Sequence, residues 1–70
     1  MPNIPDLGQR DAVRVLKKAG FFIDRQGKHI VMRRGNVTVV IPRHNVIKGF
    51  TMGKIAKDAG LTPGQFRELL

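Results

Sequence analysis

The sequence predicts an α+β domain in the order helix, three-stranded antiparallel meander, helix, short helix. Three observations carry that expectation. Apolar residues from Ala12 to Ala19 recur at helical spacing, and the stretch from Phe21 to Pro42 is β-branched and punctuated by turn residues. The C-terminal third holds two further helix signals, a stop at Gly60 and a capping box just after it. The length, 70 residues, suffices for one small domain, residues 1–70.

In the first helix Ala12, Val15, Leu16 and Ala19 fall at i, i+3, i+4 and i+7, which builds one apolar stripe. Asp6 is the expected N-cap, with Gln9 three residues on and Pro5 before it. Arg10, Arg14, Lys17 and Lys18 fall largely on the opposite, solvated side. Gly20 is placed to close the helix in a left-handed conformation, followed by apolar Phe21.

Phe21-Phe22-Ile23 opens the first strand, and Gln26-Gly27 marks a turn. The second strand runs from His29 to Arg34, Gly35-Asn36 is a hairpin signal, and Val37 to Ile41 forms a third strand ended by Pro42. If Ile30 and Met32 face the core, alternation leaves His29 and Arg33 together on the open side. The third strand alternates too poorly for pattern to select its inward face. Arg43 to Phe50 reads as a loop, and Thr51 as the cap of a second helix with Ile55, Ala56 and Ala59 inward. Thr62-Pro63-Gly64-Gln65 is a capping box with proline at the first helical position. Phe66, Leu69 and Leu70 give that last helix its apolar side.

Charge narrows the function. The chain carries 13 Lys and Arg against 5 Asp and Glu, a net charge of +8. Between Arg25 and Lys57 stand eight bases, both histidines and no acid, while the flanks are balanced. A single-sign field of this kind attracts polyanions, above all nucleic acid. A soluble face, or one that meets an acidic protein, is the plainer reading. The apolar runs are short and the segment MPNIPDLGQR has no apolar leader, so neither a membrane span nor a secretory signal is expected. The absence of cysteine excludes disulfides, thiolate zinc sites and a Cys nucleophile, and suits a reducing cytoplasm.

The absence of serine excludes every Ser-based triad. The five carboxylates are scattered, and the two histidines lie fifteen positions apart with no acid or cysteine between them, a poor metal set. No phosphate-binding glycine loop is present. Neither a metal nor a cofactor is expected. One reaction remains open because its substrate brings the nucleophile: in RNA the 2′-hydroxyl lies beside the scissile phosphate. An imidazole can move the proton, and neighbouring Lys and Arg can stabilise the charge that develops. His29, with Arg25, Lys28 and Arg33 nearby in sequence, meets that requirement. A surface histidine with no catalytic duty fits the same residues.

The run Leu16-Lys17-Lys18-Ala19-Gly20-Phe21, followed by Arg25-Gln26-Gly27-Lys28-His29, resembles the start of the HicA toxins, also called the YcfA-like family. The likeness continues through Val39-Val40-Ile41-Pro42-Arg43-His44, Lys48-Gly49, Ile55, Ala59-Gly60-Leu61-Thr62 and Phe66, about residues 9 to 68. It implies a fold like a double-stranded-RNA-binding domain, α-β-β-β-α, with a three-stranded antiparallel sheet and the helices on one face. It also implies metal-independent cleavage of mRNA, with His29 as general acid/base, and a HicB-like antitoxin that masks the site. Arg25, Lys28, Arg33, Arg34, Arg43, His44 and Lys48 are the candidate RNA-binding residues. An RNA-binding module of the same fold without catalysis is the alternative. Two departures from the family pattern stand out. Lys28 replaces the usual serine, which exchanges a hydroxyl for a positive charge, and the Arg25-Gln26 segment is one residue short while Phe50 stands as an insertion before Thr51.

Overall fold

The computed structural model describes residues 4–70; the first three residues of the N-terminal stretch read above for a leader lie outside it. The chain forms α1 (Gln9–Lys18), β1 (Phe22–Gln26), β2 (His29–Arg34), β3 (Val37–Pro42), α2 (Gly49–Asp58) and α3 (Pro63–Glu68). The three strands make one antiparallel sheet in the order β1-β2-β3, as the meander requires. No helix among the described residues is long and apolar enough to cross a membrane.

Burial follows the pleat. Ile30 and Met32 of β2 and Val39 and Ile41 of β3 point to the same side, where α1 adds Ala12, Val15 and Leu16. From α2 come Met52, Ile55 and Ala56, and Phe66 of α3 closes the cluster. The inward face of β3, which pattern left open, is therefore Val39 and Ile41. With helices on one side only, the other face of the sheet is open, and the molecule measures only 16 Å along its shortest axis. Among the described residues none that is polar or charged is buried, so the core between the layers is held by apolar contact.

Both helix stops form as the sequence indicates. After α1 the Phe21 N–H reaches the Leu16 carbonyl at 2.9 Å and the Gly20 N–H the Lys17 carbonyl at 3.0 Å. After α2 Leu61 and Gly60 repeat the pair on Ala56 and Lys57 at 2.8 and 3.0 Å. Gly20 and Gly60 take φ of +98° and +78°, the left-handed region this motif needs. Phe21 is thus the apolar anchor after the helix, and β1 begins at Phe22. The capping box of α3 also forms: Gln65 N–H donates to Thr62 Oγ1 at 3.1 Å and Thr62 N–H to Gln65 Oε1 at 2.9 Å.

Two helix starts differ from expectation. Asp6 does not cap α1. That helix begins after Gly8, whose N–H donates to Asp11 Oδ2 at 3.3 Å. Asp6 Oδ1 instead accepts from the Gly49 N–H at 2.6 Å and so caps α2. Thr51 accordingly lies inside α2, two residues past its start, and the loop after β3 ends at Lys48. The reason is tertiary. Leu7 and Ile47 exchange backbone hydrogen bonds at 3.1 and 2.6 Å, which lays the N-terminal segment beside the loop before α2.

Candidate functional site

The strand register decides which basic residues meet. His29 pairs with Pro42, Val31 with Val40 and Arg33 with Thr38, so these six share the face opposite the helices. On the other flank of β2, Phe22 pairs with Arg33 and Arg25 with Val31. A bulge at Asp24 keeps both Phe22 and Arg25 on that open face despite their odd spacing. The open face therefore presents His29, Arg25 and Arg33 around the apolar residues Phe22, Val31 and Val40. The Asp24 carboxylate lies 3.9 Å from Arg33 Nε, a long, exposed contact that contributes little.

His29 is the first residue of β2 and is exposed. Beside it, where α2 runs along β3, is an open cleft of about 400 Å³. His29, Thr38, Val40 and Pro42 line it from the sheet, and Thr51, Lys54, Ile55 and Asp58 from α2. Met52, Ile55 and Ala56 bury the inner side of α2, which fixes by helical spacing the side on which Thr51, Lys54 and Asp58 emerge. An imidazole, an ammonium, a hydroxyl and the Asp58 carboxylate thus line one concave surface. That set can move a proton and neutralise an anion. Among the described residues, no three His, Asp or Glu side chains converge as a metal-binding group.

The turn that carries His29 is tied from a distance. Arg43 Nη1 donates to the Gly27 carbonyl at 2.9 Å, and the Gly27 N–H donates to the His29 carbonyl at 3.0 Å. Arg43 therefore fixes the loop after β3 to the β1–β2 turn, with Lys28 exposed at its tip.

Not every candidate joins this group. Arg34, one residue out of phase with Arg33, reaches back to the helix side. Its Nη1 donates to the Ala19 carbonyl at 2.7 Å and its guanidinium lies 4.7 Å from the Phe21 ring centre, so it completes the end of α1. His44 lies in a different cleft of about 640 Å³ with Gln9, Arg10, Asp11, Arg14 and Arg43. Lys48 occupies the N-cap position of α2, near Asp6 and Phe50.

Sequence reasoning did not place Thr51, Lys54 or Asp58 beside His29. The signal available was weak: Thr51, Lys54 and Asp58 fall at i, i+3 and i+7 on one helix side. Nothing local pairs that side with a residue more than twenty positions earlier. Arg10 and Arg14, which helical spacing assigns to a solvated face, are gathered by the fold with Arg43 and His44.

Among known proteins, the model of a family described as the HicA toxin of bacterial toxin–antitoxin matches residues 10–61 of this chain. No curated protein and no solved structure matches it significantly.

Proposed function

The chain belongs to the HicA toxin family, and from that premise we propose that it is an mRNA-cleaving toxin that works at His29 without a metal ion. The family is one of ribonuclease toxins with a cognate antitoxin. The observation that carries the finer reading is the cleft that unites His29 with Lys54 and Thr51 beside a basic open face.

In the proposed reaction, the His29 imidazole removes the proton of a 2′-hydroxyl. That oxygen attacks the neighbouring phosphorus, the bond from phosphorus to the 5′-oxygen breaks, and water in the open cleft protonates the departing oxygen. The products are a 2′,3′-cyclic phosphate and a 5′-hydroxyl end. Lys54 stabilises the negative charge that grows on the non-bridging oxygens, and Lys28 adds a second cation at the entrance. Arg43 positions the turn. Arg25 and Arg33 hold the RNA backbone, which is salt-sensitive work suited to exposed guanidiniums. A HicB-like antitoxin, acidic to match the +8 charge, covers the cleft and the open face.

The test is cleavage of single-stranded RNA in EDTA by the wild type, His29→Ala and Lys54→Met. Cleavage is expected from the wild type alone. Removal of a charge-stabilising donor of this kind costs on the order of 10²–10³ in rate. Intact RNA with partner-free wild-type protein, or undiminished cutting by His29→Ala, refutes the proposal. The alternative, binding without cleavage, draws on the exposure of His29 and on Lys28 in place of the family serine. It predicts RNA affinity with no cleavage by any of the three proteins.

A further inference from the structure

We propose that the open sheet face is a platform for single-stranded RNA, on which one unpaired base stacks on Phe22 while the strand runs along β2 to His29. This rests on the ribonuclease reading above and adds where, and in what form, the substrate lies.

Phe22 stands on the face that no helix covers and is 55 % exposed, although a phenylalanine of this size is ordinarily placed inside. Its neighbour Ile23 is the half-buried residue of this strand and turns inward, paired with Met32. Phe22 is therefore outside because of the register, and the bulge at Asp24 holds Arg25 on the same face with it. Arg33 pairs directly across from Phe22, and Val31 and Val40 continue the apolar surface toward His29. From Arg33 to His29 is four residues of extended strand, about 13 Å, within reach of a short nucleotide segment.

This composition suits one occupant. An exposed ring flanked by guanidiniums on a β-sheet offers a stacking surface for a base and cations for its phosphates, the pattern by which sheet surfaces take up unpaired RNA. A duplex hides its base faces and gains nothing from Phe22. Asp24, 3.9 Å from Arg33, and Asp58, in the cleft beside His29, are outnumbered there by Arg25, Lys28, Arg33 and Lys54, so the field stays positive and complements a polyanion.

The experiment measures binding in the His29→Ala background, so that substrate survives. A short single-stranded RNA bearing 2-aminopurine at successive positions is compared with a hairpin duplex of the same composition. The proposal expects tighter binding of the single strand and quenching of 2-aminopurine at one position. Phe22→Leu, which keeps an apolar side chain but removes the ring, lowers affinity about ten-fold and abolishes the quenching. Phe22→Tyr restores both, and Arg33→Gln weakens binding independently of the Phe22 variants. Phe22 is exposed, so thermal melts of each variant are expected to overlay that of the parent. Equal affinity for duplex and single strand, or affinity indifferent to both Phe22→Leu and Arg33→Gln, overturns the platform. In that case the face serves a protein partner instead. Cleavage by the wild type that depends on His29 would then still uphold the ribonuclease reading, so the two failures are distinguishable.

Discussion

Replacing Asp6 by alanine should destabilise a helix that begins 43 residues further along the chain. Asp6 Oδ1 accepts from the Gly49 N–H at 2.6 Å, the first amide of α2, and the N-cap residue itself, Lys48, supplies no side-chain acceptor. Loss of an N-cap acceptor costs about 1 kcal/mol, within a range of roughly 0.5–2. The carboxylate also lies at the positive end of the helix, where a negative charge contributes about 0.3–1 kcal/mol. The expected loss is therefore on the order of 1–2 kcal/mol. A domain of this length has a total stability on the order of 4–10 kcal/mol, so the fraction is large. Each kcal/mol shifts the melting temperature by roughly 4–8 °C at this size. The assay is thermal unfolding followed by circular dichroism for the wild type, Asp6→Ala and Asp6→Asn. Asparagine keeps an acceptor and loses the charge, so its melting temperature should fall between the other two. Hydrogen exchange at the Gly49 amide should accelerate in Asp6→Ala. A melting temperature for Asp6→Ala equal to the wild type, with unchanged exchange at Gly49, would refute the reasoning.

Three further outcomes follow from the same structure. Phe66 is fully buried among the helices and the inner sheet face, and its truncation to alanine should cost about 3–5 kcal/mol; urea denaturation of a variant as stable as the wild type would contradict that core. Arg43→Ala releases the Gly27 carbonyl and should lower RNA cleavage while shifting the melting temperature by only a few degrees, because the bond is exposed; single-turnover rates beside a thermal melt check it, and a large stability loss with normal cleavage would count against the positioning role. Arg25→Gln and Arg33→Gln should each reduce the salt dependence of single-strand RNA binding by about 0.7 in the slope of log K against log salt. Fluorescence anisotropy titrations across a salt series would measure it, and an unchanged slope removes that arginine from the backbone contacts.

Gly49 shows how closely the N-terminal segment fits. A Cβ there would meet the Ile4 carbonyl oxygen, so the segment that delivers Asp6 also needs glycine at the start of α2. Neither requirement is visible in the residues around Gly49, which resemble a loop. The capping box of Thr62 and Gln65 is the opposite case. Its donors and acceptors are three residues apart, it reads directly from sequence, and it forms as read.

By itself the sequence determined the element types, the strand and turn positions, the two glycine stops and the inward pair Ile30 and Met32. Each depends on neighbours within a few residues, where backbone geometry leaves few choices. It also located the basic segment and singled out His29. Only the tertiary structure decided which charges meet. The bulge at Asp24 brings Arg25 onto the open face that alternation along β2 already gives to His29 and Arg33, while Arg34, one residue further along the strand, turns back to close α1. Packing of α2 along β3 brings Lys54 and Thr51 to His29. Those relations join residues far apart in the chain, and they are set by how the apolar stripes of sheet and helices bury one another rather than by any local preference.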